Sequence, residues 1–378
     1  MSTKVIRTSR FMNEHSSTVD SATGTLVQQV TGGPFISHPT YFLQNSFSHD
    51  GKQLFFTSYR SGSAQLHVLA YPDGEIHQLT QGPAIHPYSA ALSPDGAQIF
   101  YTAEGTLMAV GLHGGTPRTV FAAAPGTQLG EVSLSRDGNW GVCAMKRGGQ
   151  NGLLIINLAL GSAREILFER TVIHPQFHPL EPEWIEFAAD PAPRMFRIRR
   201  DGTGLECLHQ HDNSEFVVHE TFLGQTGDLV FTIWPHSLCR MDWTTRQIST
   251  ICDFNAWHIA PNRAGTEILC DTNHPDRGLF RIDVASGSRE LVCLTESSNA
   301  GSQWRKATYA LPADFAAAQS EAQGEPLSWM EAKTDTVYGP QWTHPHPAYS
   351  YDEKLATFAS DRTGVTQVYV VDLSTAKL

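Results

Sequence analysis

One phrase recurs along this chain: an apolar or aromatic start, a tight turn built on Asp-Gly, then an alternating strand. It reads SFSHDGKQLFFTS from Ser46, ALSPDGAQIFYTA from Ala91 and SLSRDGNWGVCAM from Ser133. It loosens to QFHPLEPEWIEFAA from Gln176, TFLGQTGDLVFTIW from Thr221 and IAPNRAGTEILCD from Ile259, and returns as AYSYDEKLATFASD from Ala348, seven copies in all. Asp50, Asp95 and Asp137 lie 45 and 42 residues apart, and four-stranded propeller blades repeat at roughly 40–45 residues. Asp-Gly suits the hairpin because glycine tolerates positive φ. Many copies continue into a third and fourth strand, as in LHVLAYPDGEIHQLT (Leu66–Thr80) and LFRIDVASGSRELVCLT (Leu279–Thr295). The expectation is an all-β chain folded as a seven-bladed β-propeller.

The two ends predict how the ring closes. The last copy runs through QVYVVDLSTAKL and stops where a fourth strand is due, while GTLVQQVTG (Gly24–Gly32) reads as a fourth strand without a blade. Placing it in the last blade closes the ring and removes an exposed edge. Residues 1–22 are then an N-terminal extension, expected either to fray or to cross the opening, and 23–378 one propeller domain. About two repeat lengths separate the sixth and seventh phrases. Residues 296–340 are read as an insertion, with helical composition from Ala313 to Ala322; an eighth blade is the alternative, but no Asp-Gly phrase occurs there.

Composition agrees with many short strands. Charged residues are only 17% of the chain, against 31 glycines and 21 prolines. A net charge of −11 argues against nucleic acid and anionic membranes as partners, though not against an anionic small substrate met by local cations. No window has the length of a membrane span or the form of a signal peptide. The six cysteines show no CxxC spacing and sit mostly in apolar runs, as buried free thiols of a cytoplasmic protein would.

The chemistry is expected at one phase of the repeat. Six of the seven phrases are preceded within a dozen residues by a histidine: His38, His86, His174, His219, His258, and the pair His344 and His346; the third has Gly130 there. This phase is the start of each innermost strand, so these residues converge at one mouth of the central channel. In the stretch QWTHPHP, Pro345 and Pro347 exclude a helix. An extended segment turns His344 and His346 to the same side, with the Gln341 carboxamide just upstream. That is a partial metal shell; a His-rich loop packed on proline is the other reading. His38 and His86 read as structural histidines that bond a neighbouring blade. His49, His67, His77, His113 and His209 read as solvated; His274 follows a strand of blade six, and a place behind the site is the lesser reading for it.

These residues bring a family into view. HPTYFLQNSFSHDG from His38, RMFRIRRDG from Arg194, HETFLGQTG from His219, WHIAPNRAGT from Trp257 and QWTHPHPAYSYDEKLATFASDRTG from Gln341 cover most of the chain. In that order the sequence resembles the oligogalacturonate lyases, seven-bladed propeller enzymes of pectin breakdown. The resemblance implies that His258, Gln341, His344 and His346 hold a divalent metal, Mn²⁺ in the family, that His219 is the Brønsted base, and that Arg194 is an active-site arginine beside it. It also implies short oligogalacturonides as substrate, β-elimination as reaction, and an intracellular location. Where the family has His-Arg-Asn-Tyr-Phe, this chain has His38-Pro39-Thr40-Tyr41-Phe42 and lacks the basic group at position 39.

The chemistry makes sense of such a set. β-Elimination removes the proton on C5 of a uronide and expels the oxygen on C4, and the adjacent carboxylate is a poor electron sink until neutralised. A cation and a forked arginine meet that need. His219 is suited as base by type, and nearby positive charge keeps it unprotonated. Glu220 either orients His219 or faces away along the strand, and strand alternation favours the second. Tyr41, His174 or a metal-bound water are the candidates for the leaving-group acid. The competing reading is a non-catalytic, TolB-like propeller acting as a binding scaffold. A serine-peptidase propeller is disfavoured, because no G-x-S-x-G elbow is present.

Overall fold

A computed structural model describes residues 10–11, 14–273, 275–299 and 341–374. The predicted insertion lies almost wholly outside these residues, as do His274 and the Gln341 side chain. The described strands form seven antiparallel sheets, each beginning with the strand that starts one repeat. Each repeat phrase turns as predicted: Ser48 donates to Asp50 (2.7 Å) and accepts the Gln53 N–H (3.0 Å), and the same pattern recurs at Ser93, Ser135 and Ser350. The residue after the aspartate has φ of 69–72° in the first three copies, all glycine; in the last, Glu353 adopts 62°.

Closure is as expected. Leu26–Gln29 pairs antiparallel with Gln367–Asp372, setting Val27 against Val371 and Gln29 against Tyr369. The Thr31 hydroxyl donates to Gln367 (2.7 Å), whose amide donates to Gly33 O (3.1 Å). Ser16–Val19 neither frays nor crosses the opening: it adds a fifth strand outside Leu26–Gln29. Arg10–Phe11 adds one to the first blade, against Ile76–Gln78. Among the described residues there is no α-helix, only a 3-10 turn at Gln341–Thr343, and no helix long and apolar enough to cross a membrane.

The core lies between blades, where each sheet presses apolar side chains on the next. Val142, Leu153 and Ile155 of the third blade pack on Ile185, Phe187 and Ile198 of the fourth, and Val27, Phe358 and Val371 of the seventh pack on Leu269 and Leu279 of the sixth. All six cysteines are free, four of them buried. His67 corrects its expectation. It is fully buried in the third strand of blade one, beside Phe56 with ring centroids 5.8 Å apart, and is not solvated.

Candidate active site

The phase shared by the histidines is a structural device as well as a sequence pattern. In the third, fourth and fifth blades the innermost strand carries a one-residue bulge against its neighbour, between Leu129 and Val132, Ile173 and Gln176, and Val218 and Thr221. Gly130, His174 and His219 occupy the same place in these bulges. His174 and His219 have φ of 54° and 55°, and His346 in the last blade has 46°. Left-handed backbone at non-glycine residues costs on the order of 1–3 kcal/mol each and gathers at functional sites. A bulge also re-aims side chains, so the residue after the histidine turns inward as well. Strand alternation therefore fails for Glu220, which is fully buried in the site.

Two groups of side chains result. In the first, His258, His344 and His346 each offer a ring nitrogen, all within 4.8 Å of one another. The His344 and His346 rings do share one side, stacked at 5.9 Å, but through the left-handed turn at His346 rather than an extended run. His258 Nε2 and both ring nitrogens of His346 are buried without a hydrogen-bond partner among the described residues. Orphaned buried nitrogens are costly, and neutral imidazoles facing one another are a donor set that fits a divalent cation. Burial holds both rings well below their ordinary pKa, so their lone pairs are available. Asp271, absent from the sequence-derived set, backs this cluster. It lies 2.7 Å from His258 Nδ1 and accepts the backbone N–H of His258 (2.6 Å) and of His346 (3.3 Å). Burial pushes its carboxyl up while these N–H groups pull against it. A carboxylate behind a ligating histidine fixes the ring and its tautomer. Gln341 begins the 3-10 turn that leads into His344.

The second group centres on Glu220. It accepts from Arg194 Nε (2.8 Å) and lies 2.9 Å from His174 Nδ1, while His174 Nε2 lies 2.9 Å from the Tyr41 hydroxyl. Arg194 is fixed again by Asp190 (2.8 Å). Burial alone would raise the Glu220 carboxyl, but Arg194 and His174 overcome it and hold it at about 2. Burial, joined by Glu131, pushes the Tyr41 phenol well above its ordinary value, so it keeps its proton. Glu220 thus orients His174 and Arg194, a role that neither alternative for it anticipated.

His219 stands between the groups, its ring centroid 4.4 Å from His258 and 6.3 Å from His174. Burial first, then His258, His174 and Arg194, hold it well below the usual histidine range. Its Nδ1 has no hydrogen-bond partner among the described residues. Phe42 packs edge-on against it at 5.4 Å. Tyr41, His174, Arg194 and His219 line one cleft together with Lys146, Glu131, Gln128 and His86. His86, expected to be structural, lies on this wall. His38 is buried and structural as expected, though its Nδ1 faces its neighbour Pro39 O (2.9 Å) and its ring packs on Tyr88 at 4.5 Å.

Fold and site together define a seven-bladed propeller whose innermost strands and the segments leading into them bring these side chains together. The model of the oligogalacturonate lyase family matches residues 7–130. A curated oligogalacturonate lyase from Dickeya dadantii (strain 3937) is 24% identical, covering 93% of this chain and 94% of its own length. A solved oligogalacturonate lyase in complex with manganese superposes with a TM-score of 0.81 at 20% identity, covering 98% of this chain and 99% of that one. The crystal structure of oligogalacturonate lyase from Vibrio parahaemolyticus gives 0.79 at 19% identity, covering 98% and 100%. The resemblance of the sequence to the oligogalacturonate lyases is borne out by these matches, and with it the reading of the chain as an enzyme of the polysaccharide-lyase class.

Proposed function

We propose that this protein is a lyase that cleaves short oligogalacturonides by β-elimination, with His219 as base and a divalent metal, Mn²⁺ by preference, held by His258, His344, His346 and Gln341. The observation that carries the reading is that His219 and a fixed Arg194 line one cleft while the His219 ring packs against His258 of the three-histidine cluster. The metal, when bound, supplies a Lewis acid that neutralises the uronate carboxylate. Arg194 presents its guanidinium already oriented by Glu220 and Asp190, so little reorganisation is needed when substrate arrives. His219 takes the C5 proton at the ring nitrogen that faces the cleft, Nε2, since Nδ1 is buried. It is kept neutral by burial and by the positive groups around it. The neutral ligand set leaves the cation's full charge facing the acid sugar. We place the protein in the cytoplasm and take the acidic oligosaccharide as its partner.

The test is direct. Purified protein supplied with Mn²⁺ is expected to generate ultraviolet-absorbing unsaturated product from di- or trigalacturonate. His219→Ala is expected to lose turnover by at least about 10²-fold while keeping its metal. Turnover by that variant at the parent rate rejects the base assignment, and failure of the parent protein to take up any metal favours the scaffold reading.

A further inference from the structure

β-Elimination leaves one proton unaccounted for. His219 removes a proton from C5, and the oxygen of C4 departs with the electron pair of the broken C–O bond and needs a proton of its own. The relay on the cleft wall offers one. Tyr41, from the loop between the first two strands of blade one, meets His174 of blade four, and His174 meets Glu220 of blade five. His174 is thus bridged at both ring nitrogens, by a carboxylate at Nδ1 and a phenol at Nε2, each at 2.9 Å. Its ring is nearly parallel to that of His219, with 26° between planes. C5 and O4 of one sugar are two bonds apart, with the C5 hydrogen and O4 of a galacturonide on opposite faces of the ring, so base and donor must flank the sugar; His219 and Tyr41 both line the cleft that receives it.

Resting on the lyase reading above, we propose that Tyr41 is the catalytic acid for the leaving O4 and that His174 resupplies it, with Glu220 as a positioning residue. The steps balance. The C5–H proton passes to His219 and its electron pair forms the C4–C5 double bond. The C4–O4 bond breaks, O4 takes the Tyr41 hydroxyl proton, and Tyr41 takes the Nε2 proton of His174, which enters the step as an imidazolium with its Nδ1–H donating to Glu220 and leaves it neutral. Solvent returns the His219 proton to His174 before the next turnover. Glu220 is suited to its part because Arg194 fixes it from the other side, so the carboxylate does not leave His174 as the proton moves. The buried Glu186 lies behind the pair, reached through Gln176 at 3.4 Å, and lines no part of the cleft.

The experiment incubates the metal-loaded protein with trigalacturonate in D₂O, reading cleavage by ultraviolet absorbance and deuterium at C5 of uncleaved substrate by mass spectrometry. Tyr41→Phe is expected to lower kcat by roughly 10²–10⁴-fold with KM little changed, while C5 exchange continues because the base is intact. His174→Gln is expected to do the same, and melting temperature and metal content guard against misfolding. His219→Ala loses both cleavage and exchange. Cleavage by Tyr41→Phe at the parent rate overturns the assignment, as does a folded, metal-loaded Tyr41→Phe that has lost exchange along with cleavage. If the unaltered protein cleaves nothing, the lyase reading itself falls and takes this inference with it.

Discussion

Asp271 shows how a residue without a motif can matter as much as those with one. It holds His258 through the ring and through the backbone, and reaches His346 as well. Asp271→Asn should therefore weaken Mn²⁺ binding by about 10–100-fold with the fold retained. Competition against a fluorescent chelator measures this, and an unchanged affinity would remove Asp271 from the site. His258, His344 and His346 were legible because imidazoles that share one phase of a repeat are carried to one place when the ring closes. Asp271 was not, because it lies beyond the next strand and only the hairpin register brings it opposite His258. Glu220 was misjudged for a related reason: alternation assumes a regular strand, and a single inserted residue reverses it. His67 was misjudged because histidine looks polar in sequence while its ring packs as readily as an aromatic one.

The blades themselves were legible from the Ser-x-Asp-Gly turns, since the hydrogen bonds that make the turn also make the motif. The closing strand was legible from the unfinished last blade. The fifth strands at Arg10–Phe11 and Ser16–Val19 were not, for Ser16–Val19 is exposed throughout and carries no alternation of burial. This contrast sets a pair of variants. Val27 is 1% exposed between the sixth and seventh blades, whereas Val19 is 69% exposed on the outer edge. Val27→Asp is expected to destabilise by at least about 3 kcal/mol, the cost of an unpaired buried charge. Val19→Asp should stay within about 0.5 kcal/mol. Denaturant melts of the two distinguish them, and equal midpoints would mean that the closing strand is not part of the cooperative unit.

For the whole molecule, acid should act through histidines before carboxylates. Burial above all holds His67 at about 3 and His38 at about 4, against 6.5 when unfolded. As pH falls below 6.5 the unfolded chain takes up protons that the folded chain refuses, so stability is lost through the window from about 6.5 to 3. Glu220, held at about 2, keeps its ion pairs until below that window. His67→Phe is expected to flatten the loss by up to about 1.4 kcal/mol per pH unit, read from urea midpoints between pH 6 and 4. An unaltered slope would show that His67 titrates normally.

The seventh blade draws three strands from near residue 350 onward and two, Ser16–Val19 and Leu26–Gln29, from the start of the chain. It is also the blade that His344 and His346 lead into. During synthesis the first six blades leave the ribosome with the N-terminal segment still waiting for its partner. The nascent chain has then only His258 of the three clustered imidazoles, so the centre is assembled last, by the same pairing that locks the circle. A truncated product released early would carry His219 and Arg194 but only one of the three clustered imidazoles.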